Sequence, residues 1–481
     1  MRTLEIFLLL LCFAFIIYLS IRKVKTYKKI ELAIVLGSLA SHFILEGFRW
    51  QMIPIYVLLL IIAFCIYKGY SILKGNWFFK IIKIVFLLIL LFLGFGIPTA
   101  LPIFELPKTT GKYKIGSQYI HLKTDKEETI TENPDDKREL MIKIWYPAII
   151  KNENKEPYLN DGDRFSFAKK YGLPKRTFTY LNHVETNTYV KPEVANEKFP
   201  ILIFSHGSYS KASGYYSIIE EIVSHGYIVL NINHTYESTG TLFPDGTLKL
   251  YNQEYDQKFI SNQQTAELAW KMQQDYVNAT TEQERFKASY SALKNYIPGV
   301  ISKRWSKDIS TIIDELENWN KNSFLANHLD VSKIGVFGHS QGGTSVAQSI
   351  LNDSRVNAGV NLDGVQWGNI IDTLVTKPFL FISSDWKEPH PNYNKYAYRN
   401  GGSDIFYEAK IKNSGHATFM DIPLMINIPK LNEAGTINPK EGYKTINETI
   451  ISFFDNELKN KNIDLLKLKE KYPSLEIKIK E

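Results

Sequence analysis

The feature that most constrains the fold of this 481-residue chain is the segment Lys333-Ile-Gly-Val-Phe-Gly-His-Ser-Gln-Gly-Gly343. An apolar run ends in Gly338-His-Ser-Gln-Gly342, and a helix-compatible segment follows from Thr344 to Leu351. A strand, a Gly-x-Ser-x-Gly turn and a helix in this order hold a serine in a strained turn with its Oγ clear of the sheet. The flanking glycines leave room where a Cβ would clash. This order predicts that Ser340 is a nucleophile in an α/β protein.

The first hundred residues carry four apolar stretches, Leu4 to Ile21, Ile30 to Phe48, Met52 to Tyr67 and Ile81 to Phe104. Each is near the length that a helix needs to cross a bilayer, although the second and third are short. The first has no small-residue cleavage site and further spans follow it, so we expect it to be retained. The sequence predicts a transmembrane helical region over residues 1–104, with three or four spans, of which four are favoured.

Basic residues between the apolar stretches predict the orientation. They follow the first stretch and precede the fourth: Arg22, Lys23, Lys25, Lys28, Lys29, Lys68, Lys74, Lys80 and Lys83. Because basic loops stay on the cytoplasmic side, four spans place both loops inside and the chain after residue 104 outside. Three spans would put the two loops on opposite sides. Lys108, Lys112 and Lys114 count modestly against the outside placement. We expect a multi-pass cell-membrane protein whose C-terminal domain is extracellular.

Two ionisable residues, His42 and Glu46, lie one helical turn apart in the second stretch. An ionisable pair inside a membrane suggests function. The favoured interpretation is a helix–helix hydrogen bond, or a position near the interface beside Arg49.

Composition excludes several classes of protein. The net charge is +7, but much of the basicity flanks the apolar stretches and therefore indicates membrane topology. No interleaving of basic and aromatic residues and no Cys/His cluster supports nucleic-acid binding. Both cysteines, Cys12 and Cys65, lie in apolar stretches. The rest of the chain therefore has no disulfide and no cysteine-based metal site.

From residue 105 to 481 the pattern predicts one domain, in which short apolar strands alternate with amphipathic helices. The predicted strands are Leu140 to Trp145, Ile201 to Ser205, Tyr227 to Ile232, Lys333 to Phe337, Val356 to Leu362, Pro378 to Ser383 and Ile405 to Ile411. The predicted helices are Tyr215 to Ser224, Ile309 to Trp319, Thr344 to Leu351 and Lys444 to Leu458. Continuous apolar strands favour a mostly parallel sheet. Residues 241–305 break the alternation and predict a helical insertion, either a lid or substrate wall or an inert decoration.

A nucleophilic serine needs a base that accepts its proton and an acid that fixes the tautomer of the base. Asp363 closes one predicted strand after the serine and Asp385 closes the next, and position alone does not separate them. His416 directly follows the last predicted strand, which completes the order serine, acid, histidine. The other histidines weighed are upstream of the serine or in a Pro-rich loop: His206, His225, His234, His339 and His390. His416 is therefore the predicted base.

Backbone N–H groups are expected to stabilise the oxyanion that forms when the serine attacks a carbonyl. One belongs to Gln341, directly after the nucleophile. The other is predicted in the turn Phe204-Ser-His-Gly-Ser208, where the N–H of Ser208 comes close to the site. We interpret His206 in this turn as structural.

Together these residues resemble the platelet-activating factor acetylhydrolase family (plasma/isoform II type) of α/β hydrolases. The blocks that carry the resemblance are Arg138–Pro147, Pro200–Gly207, Ser224–Val229, Lys333–Gly343, Gly359–Asp363 and the Ser-Gly-His416 tripeptide. The resemblance implies an α/β-hydrolase fold, with a mostly parallel sheet and helices on both faces, and favours Asp363 over Asp385. It also implies a calcium-independent, cofactor-free esterase that cleaves short or oxidised acyl chains from phospholipids.

Two departures limit the resemblance. Gln341 stands where the family usually has an aromatic residue, and secreted animal members lack a four-helix anchor. The sequence thus predicts a membrane-anchored serine esterase for lipid-like or other small esters, without metal, cofactor or nucleic acid. One alternative is the same triad acting on an amide or a cell-envelope ester. The other is a non-catalytic membrane sensor whose hydrolase-like domain binds a ligand.

Overall fold

The computed structural model describes residues 1–21, 27–72, 74–386, 391–400 and 405–480. Arg22, Lys23 and Lys25 of the first basic segment, and His390, lie outside the described residues. Contacts divide the chain into two compact units. The first contains Met1–Glu105, Thr179–Val184 and Leu424–Leu431, and the second contains Leu106–Phe178, Glu185–Pro423 and Asn432–Glu481.

The first unit contains four apolar helices, α1 (Thr3–Ile21), α2 (Lys28–Leu45), α3 (Ile53–Lys68) and α4 (Trp77–Ala100). Three helical segments among the described residues are long and apolar enough to cross a membrane, Thr3–Ile21, Trp50–Lys68 and Trp77–Ala100. The α2 helix is not among them. It carries Lys28, Lys29 and Glu31 at its start, and charges are costly to place in hydrocarbon. The structure thus provides three candidate spans where the sequence favoured four.

Charged side chains are buried at one end of this four-helix unit. Both Glu5 carboxylate oxygens lie 2.9 Å from Arg49 Nη1, and both side chains are fully buried. His42 Nε2 lies 3.5 Å from Glu46 Oε2, and Glu46 accepts from the N–H of Leu4 at 2.9 Å. The His42–Glu46 pair is thus part of a larger polar cluster, whose strongest ion pair joins two side chains distant in sequence.

The second unit is built on a mixed, mostly parallel sheet. Its strands, with a separate β8–β9 hairpin, are β1 (Lys114–Glu127), β2 (Lys137–Ile149), β3 (Lys155–Pro157), β4 (Glu185–Val190), β5 (Glu193–Val194), β6 (Phe199–Ser205), β7 (Ile228–Asn233), β8 (Gly240–Leu242), β9 (Leu248–Leu250), β10 (Leu329–His339), β11 (Val356–Leu362), β12 (Phe379–Ser383), β13 (Phe406–Ile411) and β14 (Leu475–Ile479). The order across the main sheet is β14-β13-β12-β11-β10-β6-β7-β2-β1-β4-β3, with β5 on β2. Every strand predicted from the sequence is present.

The six central strands, β7, β6, β10, β11, β12 and β13, are parallel neighbours. Their side chains form the main core, in which Ile203, Val336 and Val360 are completely buried. Antiparallel strands flank them: β2 pairs with β7, β1 with β2, and β14 with β13. This arrangement places the ends of β10, β11 and β13 at one edge, where loops can bring distant residues together.

The helices after residue 105 are α5 (Asp161–Lys170), α6 (Tyr216–Ser224), α7 (Gln253–Tyr255), α8 (Gln263–Val277), α9 (Glu282–Asn295), α10 (Pro298–Asn322), α11 (Gln341–Asn352), α12 (Tyr393–Ala397), α13 (Ile422–Met425), α14 (Pro439–Lys459) and α15 (Leu468–Lys471). The α10 helix packs on α11, and α6 packs on α14. The predicted insertion over residues 241–305 includes α8 and α9, which pack on α12 through Met272, Leu293 and Tyr396.

Candidate active site

Ser340 lies in the sharp turn between β10 and α11. Its φ is +54°, a region that a non-glycine residue adopts only when its surroundings enforce it. The N–H of Ser340 donates to the Leu362 carbonyl at 2.9 Å. A Cβ on Gly338 would lie 2.5 Å from the backbone of Gly342, and one on Gly342 would lie 2.0 Å from the Ser205 carbonyl oxygen. Both flanking positions therefore require glycine, as the sequence pattern predicted.

Asp363 follows β11 and is 4% exposed. Its Oδ2 lies 2.7 Å from Nδ1 of His416. The same carboxylate accepts from the N–H and the hydroxyl of Ser384, each at 2.7 Å, and from Nε1 of Trp386 at 2.9 Å. Because these donors surround an acceptor-only group, His416 Nδ1 carries the proton and its Nε2 is left as the acceptor.

The three predicted triad residues converge at one edge of the sheet. A Cβ on Gly364, directly after Asp363, would lie 2.3 Å from the Ser340 carbonyl oxygen. The His416 ring lies 4.5 Å, centroid to centroid, from the ring of His339, the residue before the serine. We call Ser340, Asp363 and His416 the elbow set.

Asp385, the other acid considered, has different partners. Its Oδ2 accepts from the N–H of Asn413 at 2.9 Å, and Lys410 Nζ lies 3.9 Å from its Oδ1. The side chain is 36% exposed. Asp385 thus holds the backbone of the loop that carries His416, while Asp363 is the acid bonded to the imidazole.

The turn after β6 brings a histidine, a glycine and a serine next to the elbow. A Cβ on Gly207 would lie 3.3 Å from the Cβ of Ser340. His206 is fully buried, and its Nε2 accepts from the N–H of His234 at 3.2 Å. Nδ1 therefore carries the proton and donates to the Gly207 carbonyl at 2.7 Å. Because a peptide is planar, this bond also sets the direction of the Ser208 N–H. Burial lowers the pKa of His206 well below its ordinary value, which agrees with a neutral ring.

The predicted oxyanion donors lie on either side of this junction. Within the described ranges, no protein acceptor is bonded to the N–H of Ser208 or of Gln341. The Gln341 side chain is buried, and its Nε2 donates to the Pro298 carbonyl at 3.0 Å and to Ser302 Oγ at 2.9 Å. Gln341 is therefore fixed against α10, and its backbone N–H remains available.

A second serine, histidine and aspartate are hydrogen-bonded beneath the elbow. His234 Nε2 lies 2.8 Å from Ser205 Oγ, and His234 Nδ1 lies 2.8 Å from Asp308 Oδ2. The imidazole stacks on Trp305 with ring centroids 3.9 Å apart. Arg138 donates to both Asp308 oxygens, at 3.1 and 2.6 Å. All these side chains are buried, and we call Ser205, His234 and Asp308 the buried set.

No sequence pattern predicted the buried set. Burial by itself would raise the pKa of Asp308, but Arg138 and the hydrogen bond from His234 hold it well below its ordinary value. Burial lowers the pKa of His234, so its ring is neutral and accepts from Ser205. No distinctive sequence signal was available, because Arg138 and Asp308 each lie among other charged residues, in a strand and in an amphipathic helix.

One group of residues in the first unit has the spacing of a metal site. Ligand atoms of Glu5, His42 and Glu46 lie within 4.8 Å of one another. Arg49 already pairs with Glu5, and Arg2 lies 3.0 Å from Glu5 and 3.5 Å from Glu46. Two guanidinium groups compensate these carboxylates and would repel a cation, so the residues do not fit a metal site.

The chain resembles known proteins over most of its length. The sequence model of the family described as platelet-activating factor acetylhydrolase, isoform II, matches residues 100–471. The chain is 26% identical over 339 residues to platelet-activating factor acetylhydrolase of Gallus gallus, which covers 66% of this chain and 78% of that protein. It is 26% identical over 336 residues to the enzyme of the same name from Canis lupus familiaris, covering 66% and 68%.

A solved structure shares the fold. The structure of ferulic acid esterase from Streptomyces cinnamoneus superposes with a TM-score of 0.61 and 21% identity, covering 78% of this chain and 99% of that one. At this identity the likeness establishes the fold alone, which is of the α/β-hydrolase type.

Proposed function

The chain belongs to the platelet-activating factor acetylhydrolase, isoform II, family, and from this premise we propose that it is a membrane-anchored serine esterase. It is a carboxylic ester hydrolase resembling 1-alkyl-2-acetylglycerophosphocholine esterases. The proposed substrates are short or oxidised acyl esters of phospholipid-like molecules. The observation that carries the mechanism is the 2.7 Å contact between His416 Nδ1 and Asp363 Oδ2 beside the strained Ser340 turn.

In the proposed reaction, Ser340 Oγ attacks the ester carbonyl carbon while His416 Nε2 accepts the hydroxyl proton. The bond from that carbon to the alcohol oxygen then breaks, and His416 returns the proton to the leaving alcohol. Water hydrolyses the acyl-enzyme by the same route, with His416 again as base and then as acid. Asp363 contributes by holding Nδ1 protonated and the ring oriented, which the Ser384 and Trp386 bonds support.

The proposed oxyanion hole consists of the backbone N–H groups of Ser208 and Gln341. Donors fixed before the reaction stabilise the charge that develops on the carbonyl oxygen, because they need not reorganise. Two observations support this assignment. Gly207 lies against Ser340, and the bond from His206 to the Gly207 carbonyl orients the next peptide N–H.

The elbow set is tested with Ser340→Ala, Asp363→Asn and Asp385→Asn, assayed on short-chain p-nitrophenyl esters and aminoacyl amides. We expect Ser340→Ala to abolish turnover and fluorophosphonate labelling, and Asp363→Asn to reduce kcat by about 10⁴-fold. Asp385→Asn is the matched control and should retain most activity. If Asp385→Asn loses turnover and Asp363→Asn does not, Asp385 and not Asp363 is the acid that orients His416. If the protein hydrolyses the aminoacyl amides but not the esters, the same triad acts on amides.

We further propose that residues 1–104 form the membrane anchor and that residues 105–481 form the hydrolase domain, on the outside. The apolar helices and the basic residues at Lys68, Lys74, Lys80 and Lys83 support this. We propose α2 as the fourth span, because its charged first turn follows the first basic segment and would then lie at the cytoplasmic surface. Labelling intact cells with fluorophosphonate, with and without external protease, tests the topology. Protection of the labelled domain from protease would place it inside.

A further inference from the structure

A cavity of about 360 Å³ opens beside the proposed oxyanion turn, within the second unit. Two adjacent lysines at the end of α5, Lys169 and Lys170, lie on its lining. Three aromatic rings, those of Tyr209, Tyr236 and Tyr251, form much of the rest. Tyr209 directly follows Ser208, so the backbone proposed to bind the oxyanion continues into this cavity.

The charge in this cavity is unusual because its partly buried lysine has no carboxylate partner. Lys170 Nζ donates to the Tyr209 carbonyl at 2.8 Å, and across the described ranges no ion pair within 4.0 Å involves it. Two other buried lysines of the unit are paired, Lys143 with Glu156 at 2.7 Å and Lys211 with Asp163 at 2.8 Å.

Desolvation of this ammonium has an electrostatic consequence. Burial lowers the pKa of Lys170, against a smaller opposing effect of Glu433. The adjacent Lys169 is exposed, and it too has no ion pair in the described part of the second unit. The acid of the lining, Glu254, pairs with neither lysine there. A desolvated ammonium beside a second cation is stabilised by an anionic ligand.

The aromatic wall is held in a strained conformation. Tyr209 has a φ of +47° and Tyr236 a φ of +67°, and the Tyr209 and Tyr251 rings stack with centroids 3.9 Å apart. The hydroxyl of Tyr251 donates to Asp256, and that of Tyr236 donates to Asp136 at 3.2 Å. Non-glycine residues at positive φ are concentrated at ligand sites, because the surrounding structure must stabilise them. The stacking and the hydrogen bonds therefore hold these rings in defined positions along the cavity.

We propose that this cavity binds the phosphate group of the leaving alcohol, with Lys170 as its main ligand and Lys169 nearby. The proposal rests on the esterase function proposed above and assigns the phosphate of such a substrate to a site on named residues, Lys170 and Lys169. Gly207 touches Ser340, and two residues of chain, at most about 7 Å, separate Gly207 from Tyr209. In a glycerophospholipid the phosphate is only a few covalent bonds from the ester carbonyl. The cavity is therefore within reach of the phosphate of a substrate whose ester carbonyl meets Ser340.

The test compares two substrates of the full-length protein, 1-O-alkyl-2-acetylglycerophosphocholine and 1-O-alkyl-2-acetylglycerol, which lacks the phosphate. The measured quantity is the ratio of their kcat/KM values. We expect Lys170→Gln to lower this ratio about tenfold, as loss of a charge-assisted bond predicts, and Lys170→Arg to restore part of it. Lys175→Gln, an exposed lysine outside the cavity, is the matched control and should leave the ratio unchanged.

Three outcomes would overturn the proposal. If the ratio of kcat/KM values is unchanged in Lys170→Gln, Lys170 does not bind the phosphate of the substrate. Equal losses on both substrates assign Lys170 a purely structural role through the Tyr209 carbonyl. If inorganic phosphate inhibits the wild type but not Lys170→Gln while the ratio stays constant, the cavity binds free phosphate and not the substrate. Failure of the esterase function itself looks different, because neither ester would then be hydrolysed, or Ser340→Ala would hydrolyse both, and both proposals would fall.

Discussion

The second unit contains two serine–histidine–aspartate arrangements with contrasting properties. In the buried set, the serine hydroxyl and the carboxylate each lie 2.8 Å from a ring nitrogen of His234. In the elbow set the histidine–carboxylate contact is equally short, at 2.7 Å. The His416 side chain is 31% exposed, whereas His234 is completely buried.

On the proposed assignment of Ser340 as nucleophile, this contrast means that residue types and bonding order alone do not identify a catalytic triad. Ser205 lies within a regular strand and no substrate reaches it, because it is completely buried. Ser340 lies at a strained φ on the rim of the sheet and is partly exposed. We interpret the buried set as a structural hydrogen-bond network, stabilised by Arg138, that packs next to the turn carrying Ser340. Its backbone contacts are also what position Gly342 and His206.

The largest expected difference between the two sets concerns turnover. Asp363→Asn should reduce kcat by about 10⁴-fold in protein that is still folded, because the asparagine disturbs the imidazole tautomer. Asp308→Asn, the same substitution in the buried set, should leave kcat within about tenfold, since its aspartate acts only through packing. Rates measured on the purified proteins at one temperature test this. Equal reductions of kcat by both substitutions, in folded protein, would contradict the claim that only the elbow set takes part in turnover.

The second difference is in stability. Asp308→Asn removes one partner of a buried ion pair with Arg138 and should destabilise the second unit by about 3 kcal/mol. Since folding holds the pKa of Asp308 well below its ordinary value, the stabilisation is fully present above the unfolded pKa of about 3.9 and is lost progressively as the pH falls from there toward the folded pKa. Thermal unfolding of wild type and variant from about pH 2 to about pH 7 measures the difference in stability, which should narrow below about pH 4. A gap that widens as pH falls would contradict this assignment.

A third prediction concerns the residue that connects the two sets. His206→Gln removes the imidazole N–H that orients the Gly207–Ser208 peptide, and we expect kcat to fall by about tenfold to a hundredfold with KM little changed. Fluorophosphonate labelling should be slowed but not abolished, because Ser340 and His416 are intact. A variant with wild-type kcat and an unchanged melting temperature would show that His206 does not orient the oxyanion donor.

The smallest expected effect is that of Ser205→Ala. It leaves His234 Nε2 without a hydrogen-bond donor, which should cost about 1 kcal/mol of unfolding free energy. Fluorophosphonate labelling should remain at the wild-type level, because Ser205 is inaccessible. Labelling of the Ser340→Ala variant at Ser205 would instead show that the two serines share access to solvent.

Much of the fold was predictable because it depends on local patterns. Near-continuous apolar runs predicted the six central strands, and apolar length predicted the four N-terminal helices. The outer strands β1 and β14 were not predicted, because their patterns are polar on one side, as is typical of antiparallel strands that flank a parallel sheet. The sequence favoured four spans, but the structure provides three candidates, because the first turn of α2 is charged. The length of an apolar stretch alone does not reveal this difference.

The sequence by itself determined the position of Ser340 and the order of its candidate partners, because the glycines and the apolar strand are local requirements of the turn. It left Asp363 and Asp385 open by position, since each follows a parallel strand. Only the tertiary structure decided which carboxylate contacts His416, and only it brought Ser205, His234 and Asp308 together. The physical reason is that hydrogen bonds between side chains depend on strand order and burial, which no single segment of sequence encodes.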